Sequence, residues 1–137
     1  MTAATQDRDT REMNGRLRAF PLEAATKLFG GTLACLNAAG NLVKGSTSAA
    51  LKCVGVAQQT YDNTAGAAGA MTGEVKNGVY GPFANSAAAD LVAASDVGND
   101  CYIVDDSTVA KTSSAGTRSI AAKVWSVDAS GVWLKFS

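Results

Sequence analysis

Asp96, Asn99, Asp100, Asp105 and Asp106 gather oxygen ligands within a short stretch, the raw material of a calcium loop. A calcium loop alternates its ligands, places glycine sixth and closes with a glutamate. Here Gly98 comes third and no Glu follows. Asp105 and Asp106 are also adjacent on a hairpin tip, and neighbours on a strand point to opposite faces, so they form no hydrolytic dyad. These aspartates read as turn caps. The stretch from Gly40 to Thr47 faintly echoes a phosphate-binding loop, but its spacing is short and Lys44-Gly45 stands in inverted order. Serine nucleophiles lack support too. There is no Gly-x-Ser-x-Gly elbow, and Ser48 to Lys52 and Ser119 to Lys123 are each one residue longer than Ser-x-x-Lys.

The chain contains no histidine. That removes Ser-His and Cys-His nucleophile pairs, imidazole acid–base work, and histidine-built zinc or iron sites. Cys35, Cys53 and Cys101 show no Cys-x-x-Cys spacing and sit in apolar, β-like surroundings, so they read as reduced thiols serving as small core hydrophobes. Three cysteines cannot all pair within one chain, and synthesis in a reducing cytoplasm is expected. No catalytic residue, cofactor-binding residue or metal ligand is therefore assigned.

Trp125 and Trp133 are the remaining candidates, for stacking on sugars or on a partner. They lie on the two arms of one expected hairpin. A regular register sets Val127 against Val132, Ser126 against Trp133 and Trp125 against Leu134, which sends the indoles to opposite faces. A shared platform would need a bulge or a shifted register. One indole in the core and one at a surface or an oligomer interface is the expectation.

These residues require a scaffold of strands and tight turns. Thr32–Leu36 meets Asn41–Lys44 across Asn37-Ala38-Ala39-Gly40, and Ala122–Val127 meets Val132–Phe136 across Asp128-Ala129-Ser130-Gly131. Asn or Asp first and Gly fourth suits a type I turn closed by glycine at positive φ. Further hairpins are expected at Asp105-Asp106-Ser107 and at Asn77-Gly78. Lys52–Ala57 reads as a buried strand, residues 60–72 as a loop, and residues 87–94 as the place for one short helix. The expected fold is all-β, a small barrel or sandwich of hairpins with six to ten strands.

At 137 residues the chain fits one domain, and its 47% apolar content is largely alanine beside four Phe, three Tyr and two Trp. Residues 1–20 read as an extended N-terminal arm and 21–137 as the β-domain. Asn14-Gly15 interrupts any helix in the arm, and Pro21 holds Phe20 extended. Arg8, Arg11, Arg16 and Arg18 could anchor the arm on a partner, with Met13, Leu17 and Phe20 as apolar plugs. Twelve basic residues balance twelve acidic ones, which argues against nucleic acid and leaves self-association unopposed by net charge. No segment approaches a membrane span, and the first residues carry no apolar signal-peptide core.

From Ala93 onward the chain has a distinctive cadence. It runs Ala94-Ser95-Asp96-Val97-Gly98, then Cys101-Tyr102-Ile103-Val104-Asp105-Asp106-Ser107-Thr108-Val109-Ala110. It continues Thr117-Arg118-Ser119-Ile120-Ala121-Ala122-Lys123-Val124 and ends Val127-Asp128-Ala129-Ser130-Gly131-Val132-Trp133-Leu134. This third of the chain resembles the structural cement, or head-decoration, proteins of tailed bacteriophages. The resemblance implies a small β-domain, without cofactor or catalysis, that trimerises on the capsid exterior and clamps the major capsid protein. Its place would be the virion, after synthesis in the bacterial host cytoplasm. Two other classes remain: a tail or fibre-associated virion component, and a carbohydrate-binding β-module using Trp125 or Trp133.

Overall fold

A computed structural model describes residues 3–13 and 15–137. Met1, Thr2 and Asn14, all within the expected arm, lie outside the described residues. The strands are β1 (Leu17–Pro21), β2 (Thr26–Leu28), β3 (Leu33–Leu36), β4 (Leu42–Lys44), β5 (Lys52–Ala57), β6 (Tyr61–Asn63), β7 (Thr72–Lys76), β8 (Gly78–Asn85), β9 (Asp100–Ile103), β10 (Thr108–Ala110), β11 (Ile120–Asp128) and β12 (Gly131–Phe136). The fold is all-β, with more and shorter strands than the sequence suggested. In place of a short helix stand two single 3-10 turns, Ala88–Asp90 and Ala94–Asp96, separated by the buried Val92. An alanine-rich stretch with one large buried side chain offers no apolar stripe to hold a helix against the core.

Three layers result. A five-stranded sheet has the order β1-β7-β5-β3-β4; a closed barrel runs β10-β8-β12-β11-β9; a two-stranded ribbon pairs β2 with β6. One core cluster joins Leu33, Cys35 and Val56 of the sheet to Phe83, Ile103, Val124, Val132, Leu134 and Phe136 of the barrel. A second lies on the sheet's other face, where Ala34, Val54, Ala57 and Val75 meet Leu28 and Tyr61 of the ribbon. The middle strands are thus covered on both sides, which explains the unbroken buried run Leu33-Ala34-Cys35. In β12 the alternation is plain: Val132, Leu134 and Phe136 face the core while Trp133 and Lys135 face out.

The Asx turns form as their chemistry requires. Asn37 Oδ1 accepts the N–H groups of Ala39 and Asn41, both at 3.0 Å, and Gly40 closes the turn at φ 81°. Asp105 and Asp128 each accept a backbone N–H two residues on, from Ser107 at 2.9 Å and Ser130 at 2.8 Å.

Asn77-Gly78 is not a hairpin turn. β7 pairs with β1 and β5, whereas β8 pairs with β12 and β10, so the chain crosses here from sheet to barrel. Asn77 is buried; its N–H donates to the Arg16 carbonyl at 2.8 Å and its side-chain amide to Gly15 at 3.4 Å. Tertiary packing outweighs the local turn preference. The expected loop over residues 60–72 likewise contains β6, which survives by pairing with β2.

The expected boundary at residue 20 also shifts. Leu17–Pro21 is the edge strand of the sheet, paired with Lys76–Thr72, and Pro21 is tolerated because an edge strand need not donate on its open side. Among the described residues the N-terminal segment without strand or helix runs to Arg16, and β1 begins at Leu17.

Candidate binding surface

The arm residues divide into two groups. Arg8, Arg11 and Met13 belong to residues 3–13, which are exposed throughout and carry no strand or helix; Met13 is 89% exposed. Leu17, Arg18 and Phe20 are instead built into β1. Arg18 donates through Nη2 to the Val54 carbonyl at 2.9 Å and lies 5.4 Å over the Phe20 ring, while Phe20 packs on the ribbon-side core. Arg18 and Phe20 thus also make contacts within their own domain. Arg16 and Leu17 line a cavity of about 400 Å³ with Gln58, Lys76 and Tyr80, in which the Lys76 ammonium sits 4.8 Å over the Tyr80 ring. Among the described residues no carboxylate lines this cavity.

The indoles do not separate to opposite faces. A bulge in β11 sets Val124 against Leu134 and Ser126 against Trp133, leaving Trp125 as the extra residue. Val124 stays in the core, and Trp125 turns outward, 53% exposed. Trp133, between the buried Val132 and Leu134, also points outward and is half-buried. Neither indole is a core residue. Lys135 covers the Trp125 ring at 5.5 Å; Trp133 stands over Gly81, where a Cβ would meet its ring at 3.1 Å. With Val79 opposite Lys135 and 38% exposed, this barrel wall carries an outward aromatic and aliphatic patch. The register shift that a platform requires is present, and nothing in a regular alternation signalled it.

Asp90, Asp96, Asp100, Asp105 and Asp128 each have a nearby partner, Asp100 in an ion pair with Lys123 at 2.8 Å. Hydrogen bonds from the Ser130 hydroxyl, the Ser130 N–H and the Trp133 indole hold the Asp128 carboxyl below its ordinary range. Thr112 and Arg118 do the same for Asp90. At Asp105 partial burial pushes the carboxyl up, but donors from Ser107 and Thr108 outweigh it and the net shift is downward. Asp96 is buried, caps the Ala93 N–H at 2.8 Å and faces Lys111 at 3.7 Å. Among the described residues no three Asp, Glu, Cys or His side chains converge as a metal site would need, and no helix is long and apolar enough to cross a membrane.

The cysteines are closer than their sequence spacing suggests. Cys35 of β3 stands opposite Cys53 of β5, and both, with Cys101, adjoin the barrel-side core. The bulge that brings this pair together has a glycine signal, Gly55 at φ 146°, but no sequence pattern fixes its partner. No protein-family model, curated protein or solved structure matches the chain.

Proposed function

We propose that this chain is a structural virion protein that decorates and stabilises a phage capsid by binding the outer surface of the major capsid protein shell as an oligomer, with a trimer the expected state. The observation that carries the reading is an exposed N-terminal segment, residues 3–13, that leads into the edge strand β1 of the β-domain. Such a segment can order on a neighbour's surface, and an open strand edge can accept a neighbour's strand through main-chain hydrogen bonds. Repetition by symmetry then turns weak contacts into strong attachment. The turn cadence of residues 93–137 supports the same class.

A non-catalytic role accords with the chemistry on the surface. Asp105 and Asp128 cap turns, Asp100 pairs with Lys123, and the chain has no histidine. Arg8, Arg11 and Met13 are the arm residues offered to the capsid, with Leu17 at the base, 47% exposed. Trp125 and Trp133 form the patch offered to another copy.

The test is co-sedimentation of the purified protein with expanded and unexpanded phage heads, beside a chain shortened to begin at Gly15. Binding of the full chain to expanded heads, and its loss on shortening, is the expected result. Equal binding by both chains would remove the arm from the mechanism; binding to neither shell by the full chain would remove the capsid.

A sugar-binding module is the second reading, favoured by the bulge that brings both indoles outward. Quenching of tryptophan emission by oligosaccharides, abolished in Trp125→Ala, would support it over decoration.

A further inference from the structure

Cys35 and Cys53 are cross-strand partners, and a local irregularity makes them so. Ala34 pairs with Gly55 and Cys35 with Cys53, leaving Val54 as an extra residue on β5. Val54 packs into the ribbon-side core, while Cys53 falls on the same side as Cys35, against the barrel-side core. Directly opposed residues hold their Cβ atoms roughly 4.5–5.5 Å apart, and a disulfide needs about 3.5–4.5 Å. Closing the bond therefore asks only a small approach of two strands already tied together.

The two thiols differ in access. Cys35 is wholly buried, whereas Cys53 is half-buried and lines a surface cavity of about 180 Å³ with Ala122, Lys123 and Lys135. A reagent in that cavity meets Cys53 first. The paired thiols shift one another, Cys53 downward despite its burial and Cys35 upward, and the Cys53 thiol reaches the Gly55 carbonyl at 3.9 Å. Burial likewise raises Cys101 to about 12, and it lies on β9, which pairs with β10 and β11 rather than with β3 or β5. The arrangement is an attacking thiol at the surface and a resolving thiol behind it.

We infer that Cys35 and Cys53 are a modification site, an oxidant-triggered disulfide that staples β3 to β5 within one chain. With hydrogen peroxide as oxidant, the Cys53 thiolate attacks the O–O bond; that bond breaks, Cys53 becomes a sulfenic acid, and the departing oxygen leaves as water after taking a proton. The Cys35 sulfur then displaces the sulfenic oxygen, the S–S bond forms, and a second water leaves with the Cys35 proton. Two thiols and one peroxide give one disulfide and two waters. The cross-link spans the β3–β4 hairpin and the run to β5, so it restrains the unfolded chain as well as the sheet. It is independent of the capsid reading, although a protein made in a reducing cell and used outside it would meet the oxidant on release.

The full-length protein, freed of reductant, is treated with hydrogen peroxide under native conditions and digested without reduction for mass mapping. The expected product is one peptide pair joining Cys35 to Cys53, the loss of two hydrogens per chain, and a rise in Tm that dithiothreitol reverses. Cys101→Ala retains all three, and Cys53→Ser loses the linked pair. Mapping of the unaltered protein decides the matter even if a variant folds poorly. Predominant linkage of Cys53 to Cys101, linkage between chains, or sulfinic acid at Cys53 with Cys35 still free would overturn the inference.

Discussion

Asp128 accepts the indole N–H of Trp133 at 3.2 Å, across the turn that joins β11 to β12. The same carboxylate accepts the Ser130 N–H and the Ser130 hydroxyl, so one side chain fixes both the turn and an outward indole. Because those donors favour the ionised form, the folded pKa lies below the ordinary aspartate value of 3.8. A group whose folded pKa is depressed adds stability above its unfolded pKa and loses that contribution as pH falls through the folded value. Tryptophan emission in a Trp125→Phe background is thus expected to hold steady from neutrality to the ordinary aspartate range and to change below it. Asp128→Asn should abolish that acid transition; an unchanged titration would show that Trp133 does not sense Asp128.

The two indoles should respond differently from the core beside them. Leu134 is fully buried on the strand that carries Trp133, and Leu134→Ala should cost about 2–5 kcal/mol in urea unfolding. Trp125 is the exposed residue of a bulge, and Trp125→Ala should change stability by about 0.5 kcal/mol or less. If the outward patch holds copies together, that same replacement should shift the oligomer toward monomer in sedimentation. A large loss of stability would instead place Trp125 within the fold's own packing.

Much of the scaffold was readable because the signals were local. Asn37 to Gly40 and Asp128 to Gly131 carry their turn chemistry in side chains that cap their own backbone, so no distant contact could redirect them. Asn77-Gly78 carried an equally strong local signal and failed, because burial and hydrogen bonds to Gly15 and Arg16 commit Asn77 elsewhere. The outward patch was hidden for a related reason. A bulge at Trp125 breaks the period of two, and its position depends on pairing with Leu134 and Trp133 rather than on any residue type. The bond from Arg18 to Val54 and the packing of Phe20 on the ribbon-side core are long-range, and no linear pattern supplies them.

Gly55 and Gly40 both lie at positive φ, yet their replacement by alanine should differ sharply. At Gly40, φ is 81° and nothing lies within 4 Å of an added Cβ. Only the left-handed backbone resists, at about 1–2 kcal/mol. At Gly55, φ is 146° and a Cβ would meet the Lys76 carbonyl oxygen at 2.6 Å and Asn77 Oδ1 at 2.8 Å. Neither neighbour is a flexible chain end, since Lys76 is strand backbone and Asn77 is buried at the crossing to the barrel. Gly55→Ala should therefore cost more than about 3 kcal/mol or prevent folding. Thermal unfolding of the pair checks it, and equal losses would mean that the β5 bulge tolerates a side chain.

Two shortened chains separate the arm from the sheet. A chain beginning at Gly15 keeps β1 and discards only a segment that is exposed throughout its described residues 3–13. Its Tm should match that of the full chain closely, because exposed residues without packing contribute little to the folded state. A chain beginning at Leu22 removes β1 as well. That strips five paired positions from β7, uncovers Val75 where Arg18 lay opposite it, and deletes Phe20 from the ribbon-side core. It also leaves the Val54 carbonyl without the Arg18 guanidinium. β7 would then present a bare edge, which invites pairing between chains. The second chain should melt several degrees lower and aggregate on heating, while the first stays monodisperse in light scattering. Should both chains melt together, β1 adds no stability to the sheet and the domain begins at Leu22; should both fall, residues before Gly15 contribute to the fold itself.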